Sequence, residues 1–415
     1  MIILKTKQKS NIQNTCKVIN ITGTNGKTTT AKIIEYILHK LGYKTGLASS
    51  IGIYINNKRI KKKDRTGPAS YNYLYRKSHL LDFIICENVL RHIKYDHFYP
   101  QKSDICLITN ISNDHLHQTK TGRITEISEI KSKLIKMNKE DGFLILNGDN
   151  KYTLNIAEKN RDKNIIFFTL NQNNIPYLRK LNPKYIYFVK GKSLLKLINK
   201  IKVEKIIYDL SKVDLTLKMS SKFNIYNIVS AICVIDNIIE IDYKSVNNIL
   251  LGLNLNYHII PGRFNIFNFK NFTVILDDAK NPYGYVNSYN SLKFFKYKRL
   301  VSVIKASSTR TPDFITKLGK IAAKHSDFIY IKESFAKDSP KIQMFGKKIA
   351  KLLMKGIKQE KRFNAKNIKT ILDEEEAVKT AIKNAKIGDL ILIFGYRIDK
   401  LAKLIYSLKK QERHK

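Results

Sequence analysis

The four cysteines of this 415-residue chain, Cys16, Cys86, Cys106 and Cys233, stand singly, and no CxxC pair occurs. That spacing supports neither a zinc knuckle nor a disulfide framework, and it fits a reducing, cytoplasmic compartment. No stretch approaches the roughly 18 apolar residues that a spanning helix needs, and the opening Met1-Ile2-Ile3-Leu4 is too short for a signal peptide. A membrane span is therefore not expected. Acidic residues are scarce: 34 Asp and Glu face 76 Lys and Arg, for a formal net charge of +42. Such a balance alone suggests nucleic acid, an anionic membrane or acidic substrates. The basic residues, however, run along the whole length beside abundant Asn, Ile and Tyr, and no nucleic-acid reader motif accompanies them. A solvated basic surface explains them better than a nucleic-acid footprint. Lys61-Lys62-Lys63 reads as an exposed loop, and the stretch from Lys409 to Lys415 as a solvated tail.

What the chain does have is enough apolar residue, 43%, for a sizeable core, and enough length for two domains. Its organising stretch lies near the start. Val18-Ile19-Asn20-Ile21 leads into Thr22-Gly23-Thr24-Asn25-Gly26-Lys27-Thr28-Thr29-Thr30, and Ala31 to Leu38 follows with apolar residues at helical spacing. That order predicts strand, phosphate loop, helix. Backbone N–H groups of such a turn and the positive end of the helix cradle an oligophosphate; the Lys reaches the terminal phosphates and the next hydroxyl reaches magnesium. A strict Walker pattern wants Gly five residues before Gly26, where Ile21 stands, so Gly23 does the turning and the loop is a variant. An ATP site over Gly23, Thr24, Asn25, Gly26, Lys27, Thr28 and Thr29 is the expectation.

Downstream, Tyr43 to Ser50 reads as a strand with hydroxyls at its exit, and Asn56-Asn57 as the turn of a hairpin. Two near-continuous apolar runs end in polar residues: Asp82 to Glu87, and Asp104 to Asn110, which delivers Asn113-Asp114-His115. Open parallel sheets place their chemistry at such strand ends. A lone Glu there is usually solvated and a lone His usually structural, but the nearby phosphate loop makes Glu87 and His115 candidates. Glu126 to Lys139 predicts a helix that carries Lys131 and ends at Asp141-Gly142. Lys151 to Asp214 reads as an irregular far edge. Helices near 224–239 and 245–251 close the first domain, Pro261-Gly262-Arg263 is a hinge, and four further apolar strands follow. The expectation is an α/β chain: a doubly wound P-loop ATPase domain over 1–260, then a smaller Rossmann-like domain over 261–415.

The order of motifs resembles the Mur ligase family of ATP-dependent amide ligases, and most nearly the carboxy-terminal Mur-like half of cyanophycin synthetase. The likeness is carried by the loop Ile21 to Thr28, Gly46 to Ile55, Thr66-Gly67-Pro68, Glu87, and Thr109 to Leu116. It continues through Leu146 to Asp149, Phe223 to Asn227, Pro261 to Asn265, and Leu276 to Pro282. The resemblance implies that Lys27 contacts the phosphates, that Thr28 and Glu87 hold one magnesium ion, and that His115 helps hold a second. Lys131 falls where many members carry a carbamylated lysine, and Ser49 or Ser50 where hydroxyls lie near the metal. Asn227 matches the residue that reads adenine, Arg263 the arginine that grips the nucleotide, and Asp277 a ribose-binding carboxylate. Lys27, His115 and Lys131 are the implied catalytic set.

Departures are as informative. The usual Asp-Tyr-Ala-His is Asp277-Asp278-Ala279-Lys280, an expected aspartate is Ile51, Glu333 to Asp338 replaces a Gly- and Arg-rich turn, and Asn88 to His92 replaces glycine-rich sequence. They fall where substrate should be handled. Only some 17 residues precede the first strand, so neither a uridine-nucleotide domain nor an ATP-grasp half is expected in this chain. The implied activity joins an amino acid or peptide to a carboxylate acceptor through an acyl phosphate, the acceptor being a pseudomurein-type precursor peptide or a cyanophycin-like polymer. The competing reading is a lapsed Mur-like protein that binds nucleotide and an anionic partner.

Overall fold

The computed structural model describes residues 16–99, 101–114, 116–198, 202–207, 209–307, 310–333 and 346–413. Seventeen strands form two sheets among them. The first sheet holds β1 Lys17–Thr22, β2 Thr45–Ser49, β3 Gly52–Ile55, β4 Lys58–Lys61, β5 Phe83–Glu87 and β6 Ser103–Ile108. It continues with β7 Asn138–Asn147, β8 Asn164–Thr169, β9 Tyr185–Lys190, β10 Ser193–Ile198 and β11 Lys202–Ile207. Their order is β11-β10-β9-β8-β7-β6-β1-β5-β2-β3-β4. From β9 across to β2 every pairing is parallel; β3-β4 and β10-β11 add antiparallel edges. The central strands are buried along nearly their whole length, the pattern of a parallel sheet covered on both faces. β1 lies between β5 and β6, so chain direction across the sheet reverses there. A crevice opens at the carboxyl ends of strands at such a switch point.

The second sheet holds β12 Asn265–Asn268, β13 Thr273–Asp277, β14 Arg299–Ile304, β15 Phe328–Ile331, β16 Ile368–Thr370 and β17 Asp389–Phe394, in the order β12-β13-β17-β14-β15-β16. All pairs but β12-β13 are parallel. The fold class is therefore the expected α/β: a large parallel sheet carrying the phosphate loop, then a smaller Rossmann-like one. The Asn56-Asn57 turn of the β3-β4 hairpin has φ 48° and 63°, the left-handed pair that a two-residue turn requires.

Two expectations fail. The helix predicted over 126–139 is Ile124–Ser132 followed by a 3-10 turn, and β7 already begins at Asn138. Asp141-Gly142 thus lies inside a strand. A Cβ on Gly142 would stand 3.0 Å from the Asp104 carbonyl of β6, so this glycine serves close strand approach rather than helix termination. The stretch from Lys151 to Asp214 is not irregular: helices Lys151–Glu158 and Ile175–Lys180 alternate with β8 and β9, and β10-β11 complete the edge. Short strands separated by polar turns conceal that regularity, because sheet pairing supplies the order that local propensity lacks. The four cysteines are unpaired, three of them buried. No helix among the described residues is long and apolar enough to cross a membrane.

Candidate active site

The phosphate loop joins β1 to the helix Lys27–Lys40 at the switch point. Gly23 has φ +146°, and a Cβ there would lie 2.0 Å from Thr109 Oγ1; Gly26 has φ +85°, and its Cβ would lie 2.4 Å from Asn227 Oδ1. No L side chain satisfies both conditions. The loop is braced from the end of β6. Asn110 accepts from the Thr24 and Asn25 amides (2.8 and 3.1 Å), while the Thr109 hydroxyl donates to the Asn25 carbonyl at 2.7 Å. Lys27 Nζ donates to the Gly23 and Thr24 carbonyls, each at 3.0 Å. Burial lowers its pKa, against the pull of Glu87 and Asp114.

Glu87 ends β5 with its carboxylate buried. Thr28 Oγ1 donates to Glu87 Oε1 (3.0 Å), and the Ser50 amide donates to Oε2 (2.9 Å). The Ser50 hydroxyl lies 2.8 Å from Thr28 Oγ1, whereas Ser49 turns away to the Gly52 carbonyl. Of the two serines, only Ser50 joins the site. Arg263, from the hinge, donates through Nη2 to both hydroxyls at 3.1 Å and through Nη1 to Asp278 at 3.1 Å. Burial opposes its charge most strongly, but Asp278 and Glu87 outweigh that and raise its pKa. Hydroxyl and carboxylate oxygens beside a resident guanidinium form a hard-donor set that already holds positive charge, which suits magnesium. Among the described residues, no cluster of three or more His, Cys, Asp or Glu side chains forms a metal site. His115 lies outside the described residues.

Lys131 is buried, and its Nζ donates to the Gly23 carbonyl at 2.7 Å and to Thr22 Oγ1 at 3.4 Å. Burial, then the Lys27 cation, pushes its pKa well below the ordinary lysine value. Thr24, Asn25, Thr29, Asn227, Arg263 and Asp277 all line one cavity of about 380 Å³ with Lys27 and Glu87. Asn227 is buried in the helix Lys222–Asp236 and donates to Asn224 Oδ1 at 3.2 Å. Asp277 accepts from the Ser288 hydroxyl at 2.5 Å and the Phe264 amide at 3.3 Å, and burial raises its pKa.

Several groups at this site escaped sequence reasoning. Asn281 Nδ2 bridges Asn25 Oδ1 (3.0 Å) and Asp114 Oδ2 (2.9 Å), tying the second sheet to the phosphate loop. Arg310 pairs with Asp114 at 2.7 Å, both side chains buried. Lys305 pairs with Asp278 at 3.0 Å. Phe168, Tyr226 and Tyr283 supply an aromatic wall to the cavity, with the Tyr226 hydroxyl donating to Asp149 at 2.7 Å. Asn281, Asp114 and Tyr226 lie within the stretches that carry the resemblance but had no role assigned, whereas Lys305, Arg310, Phe168 and Tyr283 lie outside them.

Comparison with known proteins agrees with this architecture. The model of the Mur ligase middle domain matches residues 21–235, and that of the Mur ligase glutamate ligase domain matches residues 262–397. A cyanophycin synthetase of Geminocystis herdmanii is 30% identical over 380 residues; the alignment covers 91% of this chain and 42% of that protein. The chain thus spans less than half the length of that relative. The UDP-N-acetylmuramoyl-L-alanyl-D-glutamate--2,6-diaminopimelate ligase of Aquifex aeolicus is 28% identical, covering 91% of this chain and 72% of that one. In structure the chain resembles E. coli FolC in complex with ADP, with TM-score 0.64 and 16% identity over 97% of this chain and 90% of that one. The chain belongs to the Mur ligase family, whose members are ATP-dependent ligases that form carbon–nitrogen bonds.

Proposed function

We propose that this protein is an ATP-dependent amide ligase that joins an amino acid or peptide to a carboxylate acceptor. The acceptor carboxylate attacks the γ-phosphorus of ATP, ADP leaves, and an amine then attacks the acyl phosphate, giving amide, inorganic phosphate and a proton. The observation that carries this reading is the convergence of Arg263, from the hinge that leads into the second sheet and paired there with Asp278, on Thr28 and Ser50 beside Glu87. Groups from both sheets thereby meet where the terminal phosphates of a nucleotide on the loop would lie.

In this reading Lys27 and the loop amides from Gly23 to Thr29 bind the phosphates. Asn227 reads the base, Arg263 grips the phosphates and Asp277 faces the ribose. Thr28 and Glu87 would hold one magnesium ion, and His115 with a carbamylated Lys131 a second. Magnesium supplies neutralisation of phosphate charge when bound. The burial of Lys131 at the loop supports its modification, since an amine shielded from water reacts with carbon dioxide, losing a proton to become an anionic oxygen donor. Residues 1–260 form the nucleotide domain and 261–415 a closing domain, an arrangement that excludes water from the acyl phosphate. The acceptor is a pseudomurein-type precursor peptide or a cyanophycin-like polymer, and the compartment is the cytoplasm, where unpaired thiols persist.

The test is phosphate release from Mg–ATP across amino acids paired with carboxylate acceptors, with products read by mass. Release that depends on one such pair is expected. Release that stays flat in every mixture, with folded protein, overturns the reading.

A further inference from the structure

Asp278 stands just past β13, with its carboxylate 12% exposed, and three cations share it. Lys305 Nζ lies 3.0 Å from Oδ1; Lys280 Nζ and Arg263 Nη1 lie 3.0 and 3.1 Å from Oδ2. Burial works against this carboxylate's charge, yet Lys280, Lys305 and Arg263 together hold it below the usual carboxylate range.

The three cations differ in what else they do. Lys305 is buried, donates also to the Gly395 carbonyl, and lies 5.5 Å from the centre of the Tyr396 ring. Arg263 is fixed by the Gly262 carbonyl and by Thr28 and Ser50. Lys280 has a side chain 53% exposed, and Asp278 is its one ion-pair partner among the described residues. Stripping a buried carboxylate of all its cations is costly. Withdrawing Lys280 leaves Asp278 with two, so Lys280 alone is free to leave.

Its position says what it would leave for. Lys280 lines the cavity together with Lys27 and Glu87 at the phosphate end and with Asp64, Arg91 and Gln118. Lys280, Asp64 and Arg91 are exposed lining residues and mark the mouth. Lys280 thus shares the cavity wall with Lys27 at the phosphate end and with exposed Asp64 and Arg91. Beside Lys280, the exposed charged lining residues at this end are the Arg91 cation and the Asp64 carboxylate.

We propose that Lys280 receives the acceptor carboxylate: its ammonium swings on its flexible stem from Asp278 to the incoming group, and the acceptor is an acidic peptide with a second carboxylate that meets exposed Arg91 on the same cavity wall. Lys280 keeps its proton throughout and acts as a binding residue. Asp278 stays paired with Lys305 and Arg263. This rests on the ligase reading above.

The probe is N-acetyl-tri-L-glutamate, an oligocarboxylate with no amine, titrated calorimetrically into protein saturated with Mg–ADP; N-acetyl-tri-L-glutamine amide is the neutral control. Wild type is expected to bind the acid and not the control. Lys280→Met is expected to lose about tenfold in affinity, the size of one charge-assisted hydrogen bond, while Lys280→Arg stays close to wild type. Mg–ADP should bind all three proteins alike. The proposal is overturned if wild type does not prefer the acid, if Lys280→Met binds it as tightly, or if Mg–ADP binding weakens in parallel. Binding through Lys280 without turnover in any mixture keeps Lys280 as a carboxylate-binding residue and removes the ligase reading. Turnover in which Lys280→Met raises KM for the amine alone keeps the ligase reading and removes this inference.

Discussion

The two sheets present their functional groups by different means. At the first, the phosphate loop is one contiguous stretch shaped by backbone, with Gly23 and Gly26 in the left-handed region and carbonyls turned onto Lys27. At the second, Arg263, Asp278, Lys280 and Lys305 come from the hinge, the exit of β13 and the exit of β14, and they hold one another through shared charge. Further along the same sheet, Glu374 takes the buried Lys332 ammonium at 2.5 Å and the Tyr396 and Arg397 amides at 2.7 and 3.0 Å. A backbone cradle holds its shape when a side chain changes. A balance of buried charges does not, because losing one member strands the others.

Substitutions on the two faces should therefore fail in different ways. The largest effect is expected from Lys27→Ala: a fall on the order of 10³-fold in kcat, as for loss of a preorganised charge at a reacting centre, with no lower melting temperature. ADP release and a thermal melt measure the two sides. Glu374→Gln should do the reverse, leaving Lys332 buried against a neutral amide at a cost of about 3–5 kcal/mol by denaturant titration, with ADP affinity of the folded protein kept. An unfolding curve like that of wild type would erase the contrast.

Arg263→Ala should fall between, with turnover reduced on the order of 10²-fold and the two sheets less firmly joined. Arg263→Lys should not restore turnover, since a point charge cannot reach Asp278, Thr28 and Ser50 together. Gly26→Ala is expected to cost about 1–3 kcal/mol, from the strained φ and the collision with Asn227, and to weaken ADP binding more than Ala at exposed Gly42. The smallest effect concerns pH. The Glu374 pKa is lowered from 4.5 to about 2, against burial, chiefly by Lys332. A depressed folded-state pKa contributes stability that is present above the unfolded value and lost as pH falls through the folded one. Wild type should therefore lose an increment of melting temperature between about pH 4.5 and 2 that Glu374→Gln lacks.

Much of the first face was legible because its signals are local. Strand, Gly-rich turn and helix lie within some two dozen residues, and the apolar runs ending in Glu87 and Asn110 mark buried parallel strands. Where signals were local but ambiguous, reading failed. Asp141-Gly142 looks like a helix stop, yet β6 draws that segment into the sheet. Lys131 carries no local sign of burial and is marked only by the family resemblance; the packing of its helix beside the loop is what buries it. The second face was legible as strands but not as a charge cluster. Asp278 and Lys280 were visible as departures, whereas their partner Lys305, the Arg310–Asp114 pair and the Asn281 bridge were not.

By itself the sequence determined the α/β class, the phosphate loop and the carboxylate facing it, because hydrophobic period and glycine placement act over a few residues. Which serine faces Thr28, which lysine is buried, and which cation on Asp278 is free to move were decided only by tertiary structure. Those properties depend on desolvation and on charges brought together from distant segments, and neither exists until the two sheets pack.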